Sequence, residues 1–115
     1  MLKEKSYKFA LRIVKLNRYL IQNHQENVIG KQILRSGTAI GALTREAEFA
    51  ESKKDFIHKL SIALKEANET EYWLSLLKNS DYLDAKLYNN IQPEITELLK
   101  LLVSSIKTAK KSLKQ

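Results

Sequence analysis

Few side chains in this sequence of 115 residues could do chemistry, and they are scattered. There is no cysteine, which excludes disulfides and thiolate metal ligands. His24 and His58 stand at unrelated spacings without a partner ligand nearby, so we expect surface residues and no metal site. The GTAIG at 37–41 lacks the Lys-Ser/Thr ending and the preceding strand of a phosphate loop. Without a Ser-His-Asp set or a paired-carboxylate signature, we expect no catalytic site, no cofactor and no small-molecule substrate.

Glu71 is a carboxylate that helical spacing places on an apolar stripe, between Ala67 and Leu74. A buried carboxylate is destabilising unless it finds partners. We therefore predict that Glu71 belongs to a buried polar network, with Arg35 or Arg45 as its partner. A catalytic acid is the alternative, but no second acid or histidine shares the stripe.

Charge is the second chemical feature, because the chain carries a formal net charge of +7 and its basic residues gather at both ends. Residues 1–23 hold six basic side chains and one acid, residues 24–99 hold nine basic side chains and twelve acids, and residues 100–115 hold five lysines and no acid. In the first segment one helical face carries Lys5, Lys8, Arg12 and Lys15. Such a face is either solvated surface or a ridge that contacts phosphates.

The elements that position these residues are helices. Hydrophobic periods of three and four residues predict helices over 4–23, 28–50, 52–78 and 84–112. Ser52 and Asp55 resemble a capping box at the start of the third helix. Small residues at Ser36, Gly37 and Gly41 indicate close approach of another backbone. Pro93 predicts a kink, or the first turn of a fresh helix.

Four amphipathic helices with short connections predict a single all-α domain over 1–115, an antiparallel up-down-up-down four-helix bundle. Its predicted core includes six apolar residues: Ile33, Ile40, Leu60, Leu64, Leu98 and Leu102. No apolar run is long enough for a membrane span and no signal peptide is visible, so we expect a cytoplasmic protein without a membrane partner.

This topology places both chain ends at the same end of the bundle. Two basic segments would then form one basic pole, in which Lys5, Lys8, Arg12 and Lys15 join Lys107, Lys110 and Lys111. A single concentrated basic surface favours binding of RNA or DNA.

The third helix also carries a second apolar strip, made of Ile62, Trp73 and Leu76 and flanked by Tyr72. These residues either pack under neighbouring helices or form an oligomer interface. The spacing alone favours neither alternative.

Two stretches of sequence, ILRSGTAIGA at 33–42 and DFIHKLSIALKEANETEYWL at 55–74, together with Glu46-Ala47 between them, resemble the four-helix-bundle family of 23S rRNA-intervening sequence proteins. The similarity extends over nearly the whole chain. A related branch comprises the accessory variability proteins of diversity-generating retroelements, which partner a reverse transcriptase and nucleic acid. The resemblance implies a homopentamer with a central channel. The family prefers Ser, Asn and Ile where this chain has Ala39, Leu43 and Thr44, while Glu46 is retained.

Together these features predict a non-catalytic, basic oligomer that acts as a nucleic-acid-binding or ribonucleoprotein accessory factor. The alternative is a protein-protein interaction scaffold whose charge serves only solubility. Salt-dependent binding to RNA distinguishes the two.

Overall fold

The computed structural model describes residues 1–114, which form four α-helices. They are α1 (Leu2–His24), α2 (Val28–Glu48), α3 (Lys53–Asn79) and α4 (Ala85–Lys114). The molecule is a rod of 52 × 21 × 19 Å. Each helix lies within two residues of its predicted bounds at both ends, because long periodic segments without interruption are the clearest signal that a sequence carries.

The helices pack in chain order, α1 on α2, α2 on α3 and α3 on α4, while α4 closes on α1 along a thinner seam. The ends confirm an up-down-up-down arrangement: Lys3 at the start of α1 pairs with Glu48 at the end of α2, and Lys53 at the start of α3 contacts Ser112 near the end of α4. The predicted all-α four-helix bundle is therefore confirmed, with both chain ends at one end of the rod.

Buried positions recur at alternating steps of three and four, the heptad pattern of helices that cross at shallow angles. On α3 this buried stripe consists of Leu60, Ala63, Ala67, Thr70, Leu74 and Leu77. Five of the six predicted core residues are fully buried in one cluster, and Leu64 is half-buried at its edge.

The heptad spacing also corrects the prediction for Glu71. Leu64 and Glu71 each lie four residues after a buried position, on the flank of the stripe, so both side chains are half-buried. The fully buried polar residue is Thr70, whose hydroxyl lies 2.9 Å from Ser36 Oγ and 2.8 Å from the Glu66 carbonyl. Neither predicted partner binds Glu71, and Arg35 instead pairs with Glu66 and Glu69.

Small residues on α2 let α1 approach closely, as their spacing predicted. A Cβ added at Gly37 would lie 2.8 Å from Ile13 Cγ1, and one at Gly41 would lie 3.3 Å from the Ser6 carbonyl oxygen. The GTAIG segment is therefore helix that packs against α1.

The helix ends follow the local sequence. Ser52 caps α3 by accepting a hydrogen bond from the Asp55 amide at 3.0 Å, while the Asp55 carboxylate accepts from the Glu51 amide at 3.2 Å. Asp84 caps α4 by accepting from the Leu87 amide at 2.7 Å. Pro93 lies well inside α4, which continues through it, so the alternative of a fresh helix start is wrong. None of the helices described over 1–114 has the length and hydropathy needed to cross a membrane.

Candidate nucleic-acid interface

The basic stripe of α1 faces α4, and α4 supplies acids opposite it. Lys5 Nζ lies 2.6 Å from Glu97 Oε1, and Arg12 pairs with Glu94. Lys8 lies beside the same two acids in a shallow hollow. Two of the four predicted phosphate-contacting residues are thus in ion pairs along the α1–α4 seam, which lowers the positive potential of this face.

Arg12 has a further structural partner. Its guanidinium donates to the Asn90 carbonyl at 3.3 Å and to the Asn90 side-chain oxygen. Asn90 lies in the turn of α4 that precedes Pro93. Arg12 therefore links α1 to this turn of α4 and remains only partly exposed.

The lysines of α4 have different surroundings. A groove between α3 and α4, called here the lysine groove, has an apolar floor of Leu64, Leu99 and Val103. Its rim carries five lysines and no acid: Lys100, Lys107, Lys110, Lys111 and Lys114. Within residues 1–114 none of these five lies within 4 Å of a carboxylate. The groove encloses about 710 Å³.

The structure therefore divides the predicted basic pole into two surfaces. Ser105 lines a hollow with Met1 and Leu2, so the last turns of α4 extend past the start of α1. There they lie beside the start of α3, as the Lys53–Ser112 contact shows. Lys107, Lys110 and Lys111 share the lysine groove, whereas Lys5, Lys8, Arg12 and Lys15 line hollows of the α1–α4 seam.

A second groove lies between α1 and α2 at the same end of the rod, extending to the start of α3. Its apolar lining includes Tyr7, Ala10, Ala42 and Phe49. Its charged lining balances three basic residues against three acids: Lys3, Arg45 and Lys59 against Glu46, Glu51 and Asp55. Because the two signs cancel, this surface is called here the balanced groove.

Beside the balanced groove, α1 carries a second apolar stripe that the sequence interpretation missed. Tyr7, Leu11, Val14 and Ile21 share one helical face, and Tyr7, Leu11 and Ile21 are exposed. Their spacing of four, three and seven residues was visible in the sequence. This exposed stripe lies next to the core stripe of Phe9, Ile13 and Leu16. Counting apolar residues at helical spacing does not distinguish the two stripes.

The predicted apolar strip of α3 divides between burial and exposure. Ile62, Trp73 and Leu76 are half-buried, whereas Tyr72 is exposed and packs edge-on against Trp73 with 4.9 Å between ring centroids. Trp73 Nε1 donates to Glu69 Oε2 at 2.9 Å. Much of this strip is therefore occupied within its own chain.

The seam between α2 and α3 also holds a charge network of three residues. Arg35 Nη1 lies 2.7 Å from Glu66 Oε2, and its other terminal nitrogen pairs with Glu69. The hydrogen bond from Trp73, followed by that from Arg35, lowers the pKa of Glu69 below its ordinary value. Hydrogen bonds to Glu69 and Glu66 raise the pKa of Arg35. These residues join α2 to α3, with one guanidinium shared between two carboxylates.

The histidines are both exposed, as predicted. His24 ends α1 and packs edge-on against Tyr19 and Tyr82, with ring centroids 5.6 and 5.4 Å away. Across residues 1–114, no group of three or more His, Asp or Glu side chains could hold a metal ion.

The fold and these surfaces define a class: a small, basic, antiparallel four-helix bundle whose notable features are two surface grooves. The family model described as 23S rRNA-intervening sequence protein matches residues 2–104. The chain belongs to this family, which confirms the resemblance carried by α2 and α3.

A solved structure supports the same conclusion. A protein of unknown function from the S23 ribosomal protein family of Bacteroides thetaiotaomicron VPI-5482, determined at 1.70 Å resolution, is 56% identical to this chain. The match covers 93% of this chain and 99% of that one, with a TM-score of 0.92. A comparison of this sequence with curated proteins found no match.

Proposed function

We propose that this chain is a non-catalytic accessory protein that binds nucleic acid through the lysine groove and works as a homo-oligomer. The observation that carries the proposal is the rim of five lysines, which pair with no acid in the part of the chain that the structure describes, residues 1–114. Membership of a family described by 23S rRNA intervening sequences makes RNA the first ligand to test.

The chemistry of the groove suits a phosphate backbone. Lysine ammonium groups are point charges that attract phosphates without reading base edges, so affinity should depend steeply on salt and little on sequence. The resemblance to the family implies five copies. Repetition of the groove around such a ring would let one RNA strand contact several subunits and gain affinity by multivalency.

The experiment is a fluorescence anisotropy titration of a labelled mixed-sequence single-stranded RNA across a range of salt concentrations. Two triple variants remove the same charge. Lys107, Lys110 and Lys111 are changed to Gln in the first, and Lys8, Lys15 and Lys31, all exposed on α1 and α2, in the second. Losing three phosphate contacts should reduce the slope of log affinity against log salt by roughly 2 to 3.

The matched control separates a specific surface from general charge. If the lysine groove binds RNA, the α4 variant loses affinity and slope while the control variant stays close to the wild type. Identical curves for wild type and the α4 variant contradict the proposal. Equal losses in both variants would reduce it to non-specific attraction between a cationic protein and RNA.

The apolar floor of the groove favours a second candidate, a protein scaffold that binds an acidic amphipathic helix. Leu64, Leu99 and Val103 would accept the apolar face of such a helix, and the lysines would pair with its acids. Changing Leu99 and Val103 to Ser should abolish binding of an acidic helical peptide, but should leave most of the affinity for RNA, which depends on the lysines.

A further inference from the structure

We propose that the balanced groove, whose lining includes the exposed Phe49, is the surface through which a second copy of this chain docks. The proposal rests on the homo-oligomer of the proposed function and specifies where its subunits meet. It places the interface on the α1–α2 face rather than on the apolar strip of α3, which the sequence offered as one of two alternatives.

The first argument is the distribution of exposed apolar side chains. Phe49, at the C-terminal end of α2, is 80% exposed, and Tyr7 and Leu11 on the adjoining face of α1 are 54% and 47% exposed. Tyr7 and Phe49 both line the balanced groove, and Leu11 lies one helical turn beyond Tyr7 on the same face of α1. Apolar residues grouped in this way mark an interaction surface, whereas single ones do not.

The second argument is charge. The whole chain carries +7, so two copies repel unless they meet through surfaces with little net charge. The lining of the balanced groove offers three basic and three acidic residues. The lysine groove offers five lysines, and a second copy docking there would face uncompensated positive charge. A cationic partner is therefore tolerated at one groove and disfavoured at the other.

The third argument is that the charges in the balanced groove can change partners. Lys3 pairs with Glu48 at 3.3 Å and Lys59 with Glu46 at 3.2 Å; the Lys59 side chain is half-buried, and the other three side chains are exposed. Exposed ion pairs contribute little to the stability of a single chain. These side chains can exchange their internal partners for equivalent ones across an interface, which would form a charged rim around the apolar contact of Phe49.

The proposal allows either a dimer or a ring. If two copies use the balanced groove against itself, the contact is closed and two-fold; if the groove meets a different face of the next copy, the contact generates a ring. Phe49 lies in the contact in both cases. The test therefore depends on Phe49 and Leu11 rather than on the number of subunits.

The experiment measures mass by light scattering after size exclusion, over micromolar concentrations. Phe49→Ser combined with Leu11→Ser should shift the protein towards the monomer, with a dissociation constant raised roughly tenfold or more, as for a hot-spot pair. The matched control is Val103→Ser with Leu113→Ser, which removes two exposed apolar side chains from α4 and should leave the mass unchanged. Helical circular dichroism and melting temperature report whether each variant is folded.

Because the chain has no cysteine, a single introduced cysteine can be labelled at a unique position. Cross-linking through that label gives a second measurement of the interface. Phe49→Cys carrying a benzophenone photocross-linker should give covalent oligomers, and the same label on Val103→Cys should give few. This single substitution at an exposed helix end keeps the test decisive if the double variant fails to fold.

The outcomes separate the two proposals. A wild-type protein that is monomeric refutes the homo-oligomer and this interface together, while RNA binding by the lysine groove is judged by its own titration. An oligomeric wild type whose mass survives Phe49→Ser with Leu11→Ser refutes the interface alone. Dissociation caused by Tyr72→Ser, but not by the Phe49 and Leu11 variant, would return the interface to α3 and also refute it.

Discussion

The lysine groove and the balanced groove lie at the same end of one small bundle, and both have apolar linings. They differ in what the chain provides for their charges. Acids from α2, α3 and their connection compensate the basic residues of the balanced groove, whereas within residues 1–114 the lysines along the last turns of α4 form no ion pair with an acid. The same residue type, lysine, thus belongs to a neutral surface in one place and to a cationic surface in the other.

This difference shows that a count of basic residues is a weak guide to a polyanion site. Lys5 and Arg12 contribute to the net charge as fully as Lys107 or Lys110, but Glu97 and Glu94 lie against them. What makes a cationic surface is the absence of compensating acids across the seam, which depends on the neighbouring helix.

The largest expected effect is a loss of stability, and it should differ between the core and the floor of the lysine groove. Leu60 is fully buried, and Leu60→Ala should lower the free energy of unfolding by about 2–5 kcal/mol. Leu64, one turn further on, is half-buried in the groove floor, so Leu64→Ala should cost clearly less. Urea unfolding followed by circular dichroism measures both. Equal losses would mean that Leu64 belongs to the core and that the groove has no real apolar floor.

A substitution of intermediate effect should alter the balanced groove and leave the lysine groove unchanged. Gly37→Ala places a Cβ 2.8 Å from Ile13 Cγ1, at the contact between α1 and α2. Overpacking costs about 1–3 kcal/mol, and the higher helix propensity of Ala returns about 1 kcal/mol, so a net loss of stability of about 0–2 kcal/mol is expected.

Because Gly37→Ala displaces α1 from α2, it should also weaken self-association while leaving the salt slope of RNA binding unchanged. Light scattering and anisotropy on the folded variant measure the two properties. A variant that loses RNA affinity and keeps its mass would reverse the assignment of the two grooves.

The smallest effect concerns the α2–α3 seam, whose charges are engaged in neither groove. The folded state lowers the pKa of Glu69 through Trp73 and Arg35, so the stabilisation is present above the ordinary glutamate range and disappears as the pH falls through the lowered value. Glu69→Gln should therefore reduce stability at pH 7, and the difference from wild type should shrink below about pH 4. Since both partners are partly exposed, we expect about 0.2–1 kcal/mol at neutral pH. A difference that grows on acidification would contradict this account.

The sequence by itself determined the helices and their order. Apolar residues at steps of three and four, with the Ser52 cap and few glycines or prolines, gave four helices whose observed bounds lie close to the predicted ones. Short connections then required antiparallel neighbours, because a helix that turns back within a few residues can only pack against the one before it. Family membership followed from the α2 and α3 segments.

The tertiary structure alone decided which side chains meet. A stripe defined by steps of either three or four residues includes both Thr70 and Glu71, which lie three and four residues after Ala67. The exact heptad phase, set by packing against α2, buried Thr70 against Ser36 and left Glu71 on the flank. The charges depended on packing in the same way. Arg12 came to lie against Asn90 and Glu94 of α4, whereas the lysines of the lysine groove pair with no acid among residues 1–114. The hydrophobic period of a sequence determines which face of a helix is buried to within about one residue. Only packing against the partner helix decides which residues on that face are buried.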